Sequence, residues 1–353
     1  MTQYLAYNRV RIAGFGYELP PHVIASEDLE AALAPLYRVL HLKPGQLEAL
    51  TGITERRWWD PGYPMHAGAA KAGRKALAAT GIDPGEVGML VYAGVCRDHI
   101  EPATACAVAD DLGLGPEAQV YDVSNACLGV LNGMVQIADA IELGRIRAGM
   151  VVSCETARSI VELTVQRLNQ SPTMENFKHC VATLTGGSGA VAVVLTDGST
   201  GPAGHRLAGG VVRNAVAHHR LCRWGTDTDN PAHGTMRMDT DAPGVLEHGV
   251  ALGRDTYREF VAAIDWPGGR PDKIVCHQVG AAHRAAVLQA IGIPPEDDFS
   301  TFAFLGNIGT VSLPITAAIA AERGFFVPGH RVGFFGIGSG LNCILMGLEW
   351  SGS

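Results

Sequence analysis

Two segments in opposite halves of the chain repeat one pattern: 187-GSGAVAVVL-195 and 338-GSGLNCILM-346 both pass from a Gly-Ser-Gly turn into an unbroken apolar run. A second pair, 87-VGMLVYAGVCRDH-99 and 272-DKIVCHQVGAAH-283, shares an apolar strand that empties into a polar turn. Apolar runs without alternation belong to strands covered on both faces, which in an α/β protein means helices above and below the sheet. Further strand readings fall at 119-QVYDVS-124 and 148-AGMVVSCE-155. Helical spacing appears at 103–113, at about 127–143 and at about 281–291. Such alternation predicts an α/β fold with a mostly parallel sheet, and the paired segments predict an ancient duplication.

A chain of 353 residues exceeds what one small core organises, which suits two similar halves. The division expected is 1–200 and 201–353, with the Gly/Pro/Ser-rich stretch 196-TDGSTGPAGHRLAGG-210 as connector. Residues 213–244 show no clear period and read as a long ordered loop or cap inserted in the second half. Its histidines and Cys222 match no metal-ligand spacing, so no metal is expected.

Charge narrows the function. The formal net charge is −8 and no Lys/Arg cluster interrupts it, which excludes an extended nucleic-acid surface. No apolar run is long enough to span a membrane, and the N-terminal residues lack the apolar stretch of a signal peptide. The eight cysteines (96, 106, 127, 154, 180, 222, 276 and 343) form no CxxC pair. Reduced thiols in a cytoplasmic protein are therefore expected, most of them acting as small buried hydrophobes.

One cysteine sits apart. In 121-YDVSNACLGVLNGM-134 a strand ends, and the apolar positions Leu128, Leu131, Met134, Val135, Ala138 and Ile141 then follow helical spacing to a stop at Gly144. Cys127 thus lies at a helix N-terminus, where unpaired N–H groups and the positive dipole end favour a thiolate. The same geometry also suits a buried cysteine in a tight turn. A nucleophile needs partners, and two polar residues occupy comparable places. His277 ends an apolar strand in CHQVG, and Asn307 stands in the glycine-flanked turn 304-FLGNIGTVSLP-314 before another helix pattern. Each taken singly has an ordinary structural explanation, a satisfied imidazole or a helix cap.

Taken in order, NACLG, CHQVG, GNIGTVSLP and GIGSGLN resemble the ketoacyl-acyl carrier protein synthase III group of the thiolase superfamily, and the likeness runs through essentially the whole chain. The resemblance implies a thiolase-like five-layered αβαβα fold made of two duplicated halves. It implies that Cys127 is the acylated nucleophile and that His277 and Asn307 hold the thioester carbonyl oxygen of a second substrate. It further implies an oxyanion hole from the N–H groups of Cys127 and Ser339, in the turn of Gly338 and Gly340. These glycines superficially suggest a dinucleotide loop, but they fall on the closing turn of that fold.

Within 97-RDHIEPATA-105, Glu101 precedes a proline, where the chain-initiating synthases have no carboxylate. In this the chain is similar to OleA-type thiolases, which join two acyl-CoA molecules head to head. A malonyl donor generates its carbanion by losing carbon dioxide; an ordinary acyl-CoA must lose an α-proton, which requires a base. The resemblance therefore implies a non-decarboxylative Claisen condensation, with Glu101 acting across a homodimer interface into the neighbouring site. It implies acyl-CoA or acyl-carrier-protein substrates, with no cofactor other than the coenzyme A of the substrate itself. Gly280 departs from the HQAN typical of the chain-initiating enzymes. Three alternatives stay open at this level: a decarboxylating synthase using a malonyl donor, an acyltransferase to an alcohol or amine, and a heterodimer with a paralogue.

Overall fold

The computed structural model describes residues 3–227 and 236–352. The first half carries β1 (Gln3–Ala6), β2 (Arg11–Glu18), β3 (His22–Ala25), α1 (Ser26–Ala32), α2 (Ala34–Leu40), α3 (Gln46–Thr51), β4 (Glu55–Trp58) and α4 (Met65–Thr80). It continues through β5 (Val87–Ala93), α5 (Thr104–Leu112), β6 (Gln119–Val123), α6 (Gly129–Glu142), β7 (Ala148–Glu155), α7 (Arg158–Gln170), α8 (Met174–Cys180) and β8 (Gly189–Thr196). The second half carries β9 (His205–Asn214), β10 (Cys222–Thr226), β11 (Met236–Thr240), α9 (Ala242–Ile264) and β12 (Lys273–Cys276). It ends with α10 (Ala281–Ile291), α11 (Phe302–Leu305), α12 (Ser312–Glu322), β13 (Arg331–Gly338) and β14 (Asn342–Glu349).

Nine strands form one hydrogen-bonded path, β12-β13-β14-β9-β2-β8-β7-β5-β6, and β1 joins the sheet as its tenth strand by pairing with β9. The path divides naturally at β2 and β9, which share only the pairs Arg11↔Arg206 and Ile12↔His205. On one side, β2-β8-β7 are antiparallel neighbours and β7-β5-β6 parallel ones. On the other, β9-β14-β13 are antiparallel and β13-β12 parallel. Where a partner of β6 would follow, a single parallel bridge, Ile274↔Asp298, remains. The two halves therefore repeat strand order and direction, and both sequence correspondences join equivalent strands: β8 with β14, and β5 with β12.

Helices repeat in the same way: α4 answers α9, α5 answers α10 and α6 answers α12. α4 and α5 pack outside the first half's strands around Leu90, Met150, Val152 and Val194, and α9 and α10 outside the second's around Ile274, Phe335 and Leu345. α6 and α12 lie between, in a core that takes residues from both sets of strands. Their sequences suit that layer. Nine consecutive residues of α12, Ser312–Ala320, are buried, as expected only of a helix covered all round. Leu313, Ile315 and Ile319 each contribute roughly 1.5–3 kcal/mol by leaving water. β7 and β8 are buried along their whole length, because helices cover both faces. The five-layered fold is thus the one the sequence resemblance implied.

The expectation of a mostly parallel sheet is corrected: β2, β8 and β7, and likewise β9, β14 and β13, are antiparallel neighbours. Only β7-β5-β6 and β13-β12 run parallel. A short connection such as the β13–β14 turn can join only antiparallel strands. Three local expectations differ as well. The stretch read as a connector becomes β9 from His205, since a central strand here needs small residues more than β-branched ones. Residues 213–244 are not one loop: β10 and β11 pair antiparallel from Cys222↔Thr240 to Thr226↔Met236. A half-exposed two-stranded ribbon bears too little alternation to be read from sequence, and 228–235 of that segment lie outside the described residues. β12 stops at Cys276, because Gln278 leaves the sheet to accept hydrogen bonds from Thr301 N (2.8 Å) and Phe302 N (3.2 Å) at the start of α11.

Candidate active site

The duplicated frame brings equivalent loops to one place: β6–α6 supplies Cys127, the loop before α12 supplies Asn307, and β13–β14 supplies Ser339. A cavity of about 550 Å3 opens there, lined by Cys127, Asn307, Ser339 and Gly340. Its roof comes from the ribbon, through Cys222, Arg223, Trp224 and Met238.

The corner at Cys127 is a tight one. Ala126 adopts φ +44°, a left-handed conformation that a residue with a Cβ rarely takes and that costs on the order of 1–2 kcal/mol. The Leu128 N–H donates to Asn125 O (2.8 Å), and α6 begins at Gly129. Val130 N donates to Thr310 Oγ1 (2.8 Å), so the second half caps the first half's central helix. A Cβ on Gly338 would stand 3.1 Å from Leu128 Cγ, a tight contact, and in ordinary contact with Cys127 N (3.4 Å). Glycine thus eases the packing of the Gly338–Gly340 turn against Leu128, next to the cysteine.

Burial pushes the Cys127 thiol up to about 12, with Cys222 and Glu155 adding to the rise, while the backbone N–H groups of Ser339 and of Cys127 itself oppose it. Two findings follow. The two N–H groups expected to form the oxyanion hole both act on the sulfur. The expectation of a resting thiolate, however, is corrected: low dielectric around the sulfur outweighs the helix terminus, and Cys127 rests as a thiol.

Asn307 is fixed through its backbone. Its N–H donates to Thr185 O (2.9 Å), its carbonyl accepts from Gly187 N (2.9 Å), and its Oδ1 accepts from Gly309 N (3.1 Å). The side-chain NH2 is left as the group that can donate into the cavity. His277 is buried and does not line the main cavity; it borders an adjacent pocket of about 30 Å3 with Cys276, His283 and Gly336. Its backbone N–H donates to Phe335 O (2.9 Å), and its Nδ1 has no protein partner. Burial, reinforced by His283, holds His277 down to about 3, so it acts as a neutral imidazole.

Glu101 lies on the exposed loop between β5 and α5 and outside the Cys127 cavity of its own chain. The carboxylate that does line the cavity is Glu155, the last residue of β7. It is 4% exposed, accepts from Val95 N (2.8 Å) and Cys96 N (3.2 Å), and is pushed up to about 6 by burial. Sequence reading passes over it, although a glutamate closing a fully apolar strand in AGMVVSCE is a legible signal. All eight cysteines are free. No group of three or more metal-ligating side chains occurs among the described residues, and none of their helices is long and apolar enough to cross a membrane.

Comparison with known proteins places these features in a family. Residues 265–350 match the family model of the 3-oxoacyl-[acyl-carrier-protein] synthase III C terminal. An acyl-CoA:acyl-CoA alkyltransferase of Shewanella oneidensis is 53% identical over 351 residues, covering 98% of this chain and all of the relative. Its namesake in Xanthomonas campestris is 35% identical, covering 98% of this chain and all of that one. The crystal structure of a Xanthomonas campestris OleA variant with bound lauric acid and lauroyl-CoA superposes with a TM-score of 0.90, covering 98% of this chain and all of that one at 35% identity.

Proposed function

The chain belongs to the acyl-CoA:acyl-CoA alkyltransferase family, and from that premise we propose that it joins two acyl-CoA molecules by a non-decarboxylative Claisen condensation at Cys127. The observation that carries this reading is that Cys127, Asn307 and Ser339, brought in by three separate turns, line one cavity.

In the first stage the Cys127 sulfur attacks the carbonyl carbon of an acyl-CoA. The carbonyl oxygen, now negative, meets the N–H groups of Cys127 and Ser339, which are already oriented and cost nothing to reorganise. The C–S bond to coenzyme A breaks, and the departing sulfur carries away the proton that Cys127 gave up. Because Cys127 rests as a thiol, this proton transfer belongs to the step itself.

In the second stage another acyl-CoA enters with its thioester oxygen held by Asn307 and neutral His277. The partner's Glu101 takes the α-proton, and the electron pair passes onto the oxygen held by these two donors. The α-carbon then attacks the Cys127 thioester, forming the carbon–carbon bond and expelling the Cys127 sulfur. The product is a β-ketoacyl-CoA, whose hydrolysis gives a β-keto acid. Neither stage requires a metal or redox cofactor; coenzyme A enters and leaves with the substrate. The exposed position of Glu101, away from its own cavity, supports action in a neighbouring subunit of a homodimer.

The test is to incubate the purified chain with acyl-CoA alone, measuring free coenzyme A and condensed product. Both should appear without a malonyl donor. Carbon dioxide release with an obligatory malonyl donor, or transfer of the acyl group to an alcohol or amine without carbon–carbon bond formation, would overturn the proposal.

A further inference from the structure

The loop that carries Glu101 is held at three places by three carboxylates. At its root, Glu155 accepts from Val95 N and Cys96 N. In its middle, Asp98 accepts from Met65 N (2.6 Å) and His66 N (2.9 Å) at the start of α4. At its end, Asp122 accepts from Thr104 N (3.0 Å) and Ala105 N (2.9 Å) at the start of α5. Only the tip stays outside this framework, with Ile100 fully exposed beside Glu101. A fully exposed isoleucine next to an exposed carboxylate suits a segment that seats itself on a second copy of the chain.

The three anchors differ in what else they touch. Asp98 pairs with His66 (2.7 Å) and Asp122 faces Arg97 (3.9 Å). Glu155 forms no ion pair among the described residues, and of the three it alone lines the Cys127 cavity. A Cβ on Gly309, next but one to Asn307, would lie 3.5 Å from Glu155 Cγ, so the Glu155 side chain packs against the turn that carries Asn307. A buried, unpaired carboxylate is costly to keep, and its amide donors are the groups that make it tolerable.

We infer that Glu155 is a positioning residue which ties the root of the Glu101 loop to the Cys127 cavity, so that each subunit's cavity sets how the base it lends reaches the partner's site. The inference rests on the cross-subunit action of Glu101 proposed above. It also separates two effects of one substitution. Glu155→Gln removes a negative charge that opposes the Cys127 thiolate, so acylation should be about two- to threefold faster. The amide cannot accept both N–H groups in the same way, so the loop loosens and condensation should fall by about tenfold. Asp98→Asn, which loosens the same loop away from the cavity, should slow condensation without speeding acylation. General damage to the fold would slow both steps.

Mixed dimers decide the matter. One chain carries Cys127→Ala and the other Glu101→Ala, each with its own affinity tag, leaving a single complete site. That dimer should condense acyl-CoA at about half the wild-type rate. Adding Glu155→Gln to the chain with Cys127→Ala, whose loop supplies the working Glu101, should reproduce the tenfold loss; adding it to the other chain should not. A loss confined to the other chain would overturn the positioning role while leaving the cross-subunit premise intact. A reference dimer without condensation would overturn that premise, and the inference with it.

Discussion

The β6–α6 corner and its counterpart before α12 occupy equivalent places in the two halves, yet they are built on different principles. At the first, a residue with a Cβ, Ala126, is forced to φ +44°, and the reactive atom follows it directly. At the second, Gly306 takes φ +69° without penalty, and Asn307 is locked on both sides by hydrogen bonds to the 185–187 segment. On the proposed mechanism, one corner is strained around a group that must form and break bonds, and the other is relaxed around a group that must only stay where it is. The strand ends diverge likewise: β12 runs into buried His277, while β5 runs into the exposed loop of Glu101. On the proposed mechanism the duplicated frame shares its tasks unevenly: the first half carries the nucleophile Cys127 and the base Glu101, and the second carries the groups that hold carbonyl oxygens, His277, Asn307 and Ser339.

The contrast can be broken at its strongest point first. Cys127→Ala should lose coenzyme A release and condensation together, by at least about a thousandfold, in a stopped-time thiol assay with product detection. If the substitution spares acylation, the first corner is not the reacting one. Glu101→Ala should keep a full single-turnover burst of coenzyme A but lose condensation by roughly 10²–10⁴-fold. Mass spectrometry should then show the acyl group resting on Cys127.

A pH experiment reads the first corner alone. With Cys127 held up to about 12, its thiolate fraction in the free protein grows tenfold per pH unit across the neutral range. Alkylation of Cys127 by iodoacetamide should therefore rise by about a hundredfold from pH 7 to pH 9. A plateau near pH 7 would show that the helix terminus outweighs burial after all. For the second corner, Asn307→Ala should lower condensation by about 10²–10³-fold and slow acylation much less.

The smallest effect separates strain from relaxation directly. Gly306→Ala must accommodate a Cβ at positive φ and 2.5 Å from Thr185 O, and should cost about 1–3 kcal/mol in a thermal melt. Ala126→Gly should cost nothing or stabilise slightly, since it removes a penalty rather than adding one. Equal losses at both positions would erase the distinction.

What the sequence discloses follows the same division. Buried strands with both faces covered announce themselves as apolar runs, so β5, β7 and β8 fall close to where their patterns place them. Cys127, Asn307 and Ser339 are legible because motifs mark turns, and the turns converge on the cavity. Glu155 is passed over although a glutamate closing an apolar strand is a legible signal of a buried carboxylate; what the sequence does not carry is which cavity that carboxylate faces. The resting state of Cys127 is misread for a related reason: a helix terminus can be read from sequence, but the dielectric around it depends on residues from β7 and β10. The ribbon goes unnoticed because its two strands pair with each other while remaining half-exposed, so they carry little of the alternation that marks a strand.

The addition of β1 to β9, from Gln3↔Val212 to Ala6↔Gly209, has a consequence for how the molecule comes apart. The first residues of the chain complete the sheet of the second half, so the covalent order of the halves and their hydrogen-bonded order do not coincide. Neither half can be cut out with its own edge intact, and severing the 197–204 connector would leave two fragments still clasped by an exchanged strand. Calorimetry of such a nicked protein should show one cooperative transition, the behaviour of a fused and strand-exchanged pair rather than of two beads on a string.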